Sequence, residues 1–152
     1  MEARITPRLV DSLYIEAMVL ADEARAYFED HGTEERDALT PALRVGYAVE
    51  SLKVTTRIMH VIAWLLTRRG LEAGEIDRAA ASQPDRRLGE AGLSDPAVLP
   101  QLPEGAVGLI EASEDLYARV ARLEQDLLSP PEETQARGSP ARSLLNRLER
   151  AF

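Results

Sequence analysis

Two histidines, a polar cluster near mid-chain and a few isolated serines are the residues of this sequence that could do chemistry. His60 has Thr56, Arg57 and Trp64 at the three- and four-residue spacings that share a helix face. A metal site or an acid–base pair would need a carboxylate or a second histidine there, and the paired Glu-x-x-His of di-iron bundles is missing. His31 stands alone at the end of a predicted helix. Ser51 directly follows Glu50, a helical neighbour pair rather than a nucleophile with its base. Gly70, Gly74, Gly89 and Gly92 fall into no phosphate-binding loop. The chain has no cysteine, which excludes disulfides, thiolate ligands and cysteine nucleophiles. What remains is a polar belt of Glu50, Ser51, Thr55, Thr56 and Arg57. It could be a recognition site, or a buried network fixing the register of two copies. Alternatively Glu50 and Arg57, two turns apart on one face, meet opposite charges on neighbouring helices. No catalytic residue, cofactor site or metal site is expected.

The elements that would carry this belt are helices. Thr6-Pro7, Thr40-Pro41 and Ser139-Pro140 each set a capping hydroxyl before a proline, which loses no hydrogen bond at the first helical position. Leu102-Pro103-Glu104 marks a fourth start, with an acid near the positive end of the helix dipole. The reading is one domain, 1–128, with helices over about 7–31, 41–70 and 103–128. Gly32 stops the first helix, and Gly70 or Gly74 the second. Leu9, Leu13, Ala17, Leu20, Ala24 and Tyr27 line one face of the first helix, widened by Val10, Tyr14, Met18 and Phe28. Leu109, Leu116, Val120, Leu123 and Leu127 form the seam of the third, with Ser113 in the remaining seam position. Nothing alternates as a strand would. Residues 71–102, broken by glycine and proline, read as a long and partly mobile crossover. Residues 129–152 begin with linker composition and form a flexible tail. Leu144, Leu145, Leu148 and Phe152 could make a short helix there, either docked on the bundle or serving as a partner motif.

Charge sets the arrangement. The first and third helices each carry six acids against two arginines, whereas the second carries five basic residues against Glu50 alone. A basic helix between two acidic ones fits an all-α, antiparallel three-helix bundle. The net charge of -8 argues against affinity for nucleic acid or anionic lipid. The N-terminal stretch has acids within its apolar runs, unlike a signal peptide. The most apolar run, Ile58 to Leu66, falls short of the roughly 20 residues that cross a bilayer. A cytoplasmic protein without membrane insertion is expected.

That run is apolar on all sides except for His60. Two flanking helices cover only part of a helix, so a further partner is needed. A second copy of the chain would meet Ile58, Met59, Val61, Ile62, Trp64 and Leu65, making a homodimer. Folding back of the crossover over the run is the alternative.

The stretch AVESLKVTTRIMHVIAWLLTRRGLEAGEI (48–76) closely resembles the central helix of RcdA-like proteins, the alphaproteobacterial regulators of CtrA degradation. Glu50-Ser51-Leu52, Thr55-Thr56-Arg57, Met59, Ala63-Trp64-Leu65-Leu66 and Gly74-Glu75 carry the resemblance. LPEGAVGLIEASEDLYARVARLE (102–124) is similar to the last bundle helix of that family through Leu109-Ile110, Ser113 and Leu116-Tyr117. The resemblance implies a homodimeric, non-enzymatic adaptor in the cytoplasm, including the cell pole. Its implied partners are the ClpXP protease with its unfoldase, a response-regulator-like protein and cell-cycle regulators as substrates. The other class open to such a chain is a dimeric interaction scaffold without a protease role.

Overall fold

A computed structural model describes residues 5–128 and 147–151. Three long helices form the body: α1 (Pro7–Ala26), α3 (Pro41–Glu72) and α5 (Glu104–Leu128). Two short ones, α2 (Thr33–Asp37) and α4 (Arg78–Ala81), lie in the connections. No strand occurs among the described residues.

Helix ends follow local chemistry. Thr6 and Thr40 accept from the amides of Leu9 (3.1 Å) and Leu43 (3.3 Å), with proline first in each helix. α3 stops at Gly74, whose φ of 75° is the left-handed value that glycine adopts without strain. The Gly74 and Glu75 amides reach back to the carbonyls of Leu71 (3.2 Å) and Gly70 (2.9 Å), closing a Schellman motif. α1 ends differently from expectation. After Ala26 the chain widens into a π-helical turn, Tyr27–His31, and Gly32, at φ -91°, leads directly into α2. The helix α2 was not legible in the sequence, where 32–40 read as a plain connection.

The core is built by Val10, Leu13, Ala17, Leu20 and Ala24 of α1 against Tyr47, Val54, Ile58, Val61, Trp64 and Leu65 of α3. From α5 come Ala106, Ile110, Leu116 and Val120. The α5 seam is therefore set one residue away from Leu109 at its start, and Leu127 is largely exposed. α1 is antiparallel to both other long helices: Asp11 meets Arg69 of α3 at 3.4 Å, and Glu16 pairs with Arg119 of α5. α3 and α5 run parallel, since Arg57 bonds Ser113 and Trp64 bonds Glu124. The crossover makes this possible by travelling back along the full length of α3 before α5 begins. Pairs between the basic α3 and its acidic neighbours are present, at Arg69–Asp11 and, more loosely, Arg57–Glu114 at 4.0 Å.

Two expectations need correction. Ile58, Val61, Trp64 and Leu65 do not form a dimer surface; they are buried in the protomer's own core. Ile62 is half-buried, and of the six residues Met59 alone stands free at 64% exposure. The reason is that α1, α5 and the returning crossover cover the run on every side except that of Met59, Ala63 and Leu66. Nor are α3 and α5 antiparallel, because the returning crossover brings the chain back so that α5 runs beside α3 in the same direction.

Candidate functional site

The polar belt divides in two. Thr55 and Thr56 are exposed and Ser51 is half-buried, its hydroxyl turned back to the Ala48 carbonyl. Glu50 and Arg57 are each only 2% exposed. Both lie on the side of α3 that faces α5, under residues 88–98 of the crossover, hereafter the strap.

Arg57 uses its guanidinium fork to join three segments. Nη1 donates to Ser113 Oγ (3.2 Å) on α5, whose hydroxyl in turn donates to the Ile110 carbonyl (2.9 Å). Nη2 donates to the Gly92 carbonyl (2.8 Å) and to Ser94 Oγ (2.9 Å) on the strap. One turn earlier, Lys53 donates to Glu50 Oε2 (3.1 Å) and to the Leu93 carbonyl (2.8 Å). Glu50 Oε2 also accepts the Asp95 amide at 3.2 Å, while its Oε1 is buried with no hydrogen-bond partner. Burial pushes the Glu50 carboxyl up, but the Ser94 hydroxyl, the Asp95 amide and the Lys53 ammonium outweigh it and hold the group below its ordinary value.

Farther up the groove, Glu124 Oε2 accepts both the Trp64 indole N–H (3.0 Å) and the Leu88 amide (2.7 Å). Tyr117 donates to the Gly89 carbonyl at 2.7 Å. A β-carbon at Gly89 would come within 2.3 Å of the His60 ring, so a larger residue there requires the ring or the strap to shift. His60 is thus a half-buried wall of this groove. Arg68 lies over the Trp64 ring at 5.4 Å, where burial lowers its affinity for a proton and Glu124 opposes that shift.

The strap is held mainly through its backbone. Leu93 is 84% exposed, and no residue from 82 to 101 is buried. Sequence reasoning named Arg57 and Glu50 but missed Ser94, Tyr117 and Glu124. The available signal was Ser113, a polar residue in an otherwise apolar seam, which called for a polar partner on the facing helix.

The opposite side of α3 carries a second feature. Val45, Val49, Leu52, Thr56, Met59, Ala63 and Leu66 follow one another at alternating spacings of four and three, and all are exposed. That is the spacing of a left-handed coiled-coil seam. Val45, Leu52 and Met59 are 64%, 66% and 64% exposed. On α1, Ile15, Met18 and Val19 are also exposed. In the tail, Leu148 lies in a helical stretch, 147–151, and is exposed, whereas Leu144, Leu145 and Phe152 lie outside the described residues.

Among the described residues no group of three or more His, Asp or Glu side chains is placed to hold a metal ion. Nor is any helix among them long and apolar enough to cross a membrane. The described residues thus form an all-α bundle with a buried polar clamp and exposed apolar helix faces. The chain belongs to the RcdA-like family: a family model described as "Protein of unknown function (DUF1465)" matches residues 1–152, and RcdA from Caulobacter crescentus CB15 shares its fold. That crystal structure superposes with a TM-score of 0.63 at 31% sequence identity, covering 82% of this chain and 95% of the other. No curated protein matches the sequence.

Proposed function

We propose that this protein is a non-enzymatic adaptor in regulated proteolysis, bringing cell-cycle regulators to the ClpXP protease. The likeness to RcdA over nearly the whole of that chain carries the reading. It is supported by the chemistry of the site, where charged side chains are committed to backbone and hydroxyl groups of the same chain. Such an arrangement holds a shape; it does not activate a nucleophile or move a proton. The partners of this reading are the unfoldase, a response-regulator-like protein and the delivered substrates, in the cytoplasm.

The reading includes a homodimer, now through the exposed face of α3. Its 4-3 apolar spacing suits a second α3 packed across a two-fold axis. Neighbours on that face include Ala48, Ser51 and Thr55, so two copies would approach without like charges at the centre despite the net charge of -8.

Reconstituted degradation tests the function. Adding the purified chain to ClpXP should speed loss of a substrate that the protease alone degrades slowly. Binding to that substrate without any change in its degradation would instead favour a scaffold without a protease role.

A further inference from the structure

The groove between α3 and α5 is shaped for an extended peptide, and the strap occupies it as one. Tyr117, Arg57 and Lys53 donate to the carbonyls of Gly89, Gly92 and Leu93, and Glu124 and Glu50 accept the amides of Leu88 and Asp95. These contacts read backbone. Side-chain selectivity rests on two positions: glycine passes His60 without displacing its ring, and a hydroxyl at position 94 reaches Arg57.

We propose that the strap is an exchangeable occupant, and that the same groove takes an extended, glycine- and serine-containing segment of a partner protein in its place. Three observations carry this. First, between Leu88 and Val98, the partly buried residues that pack against the core at its two ends, the strap holds no fully buried residue, so release of its middle, 89–97, forfeits little apolar burial. Second, what it covers is Arg57, Glu50 and Lys53, charged groups that regain water when it lifts, which keeps local opening accessible. Third, the contacts that hold the strap are to backbone amides and carbonyls and to the one hydroxyl of Ser94, groups that another extended segment with a serine can supply. The partner's chemistry follows from the groove. Its floor offers donors at Tyr117, Lys53 and Arg57 and carboxylate acceptors at Glu50 and Glu124, and the strap that fits it meets them with backbone groups, two glycines and a serine. That is also the composition of unfolded segments, which are free to become extended on binding.

The proposal rests on the adaptor reading only for what the peptide would belong to. A groove that takes no peptide defeats this inference alone, and unchanged protein turnover defeats the adaptor reading alone.

Two measurements on the full-length protein decide it. In the unsubstituted chain, the Leu88 and Asp95 amides should exchange with solvent through local opening, well ahead of the core amides of Val61 and Ile110. A labelled peptide of residues 86–97 should then bind about tenfold or more tightly to the Gly89→Ala protein than to the unsubstituted one, because displacing the strap raises the open fraction. Ser94→Ala, which weakens the strap without touching the groove, should shift binding in the same direction. The same peptide carrying Gly89→Ala should not bind, and Tyr117→Phe in the protein should weaken binding. Exchange of Leu88 and Asp95 only at the rate of global unfolding would overturn the proposal. So would absence of peptide binding in a variant whose Leu88 and Asp95 amides have lost protection.

Discussion

Glu50 and Arg57 stand two turns apart on one face of α3, and each bonds the crossover rather than the other. The clamp they form joins α3, α5 and the strap, so a segment whose apolar residues, Leu88 and Val98, are only partly buried is nevertheless part of the fold. Arg57 should accordingly be structural first. Arg57→Ala leaves Ser113 and the Gly92 carbonyl without their donor and should lower stability by about 3 kcal/mol in denaturant unfolding. Arg57→Lys, lacking the planar fork, should rescue only part of the loss. An unchanged midpoint for Arg57→Ala would show that water replaces the fork at no cost.

Trp64 is the sole tryptophan, so its fluorescence reports one place. Glu124→Ala removes the acceptor of both its indole N–H and the Leu88 amide. Stability should fall by about 1–3 kcal/mol, and Trp64 emission should shift to longer wavelength as water enters. Glu124→Gln, which keeps one acceptor oxygen, should lie between. Emission that stays unchanged in Glu124→Ala would mean that this end of the groove is closed by packing alone.

The exposed α3 seam makes its own prediction. Leu52→Glu combined with Met59→Glu should convert a dimer to a monomer in sedimentation. Helicity should be kept, and protomer stability should change by no more than about 0.5 kcal/mol per site, since both residues face outward. A wild-type chain that sediments as a monomer at micromolar concentration would contradict the dimer directly.

Acid should loosen the strap. The Glu50 carboxyl is held below its ordinary value in the folded chain, so its contribution is fully present above the ordinary carboxylate range and is lost as pH falls through the lowered value. Protection of the Asp95 amide should decline over that acid window in the native protein. In Glu50→Gln this part of the pH dependence should be missing; if it persists unchanged, another carboxylate is responsible.

Much of the bundle was legible in the sequence because helix caps and apolar periodicity are local signals. Thr6-Pro7 and Thr40-Pro41 start the helices they announced, and Leu13, Ala17, Leu20 and Ala24 face the core as their spacing indicates. What escaped was set by tertiary contacts. The apolar run from Ile58 to Leu66 looked as though it needed a second copy because two flanking helices cover only part of a helix, and the alternative, a crossover folded back on it, is what covers one side. Only the return of the crossover places Gly89 on His60 and Gly92 on Arg57. The 4-3 seam through Val45, Leu52 and Met59 was hidden by the core residues interleaved with it, which made the helix look apolar all round. Of the site itself, Glu50 and Arg57 stood out as charges inside an apolar helix. Tyr117 and Glu124 did not, since on an acidic amphipathic helix they resemble any solvent-facing residue.

The central claim is that this chain changes the lifetime of other proteins. A proteome-wide chase, comparing cells with and without it, tests that most directly. A small set of regulatory proteins should survive several-fold longer in its absence, the same set being stabilised when ClpXP is inactivated. Unchanged lifetimes throughout that set, in cells where the chain still binds its partners, would contradict it.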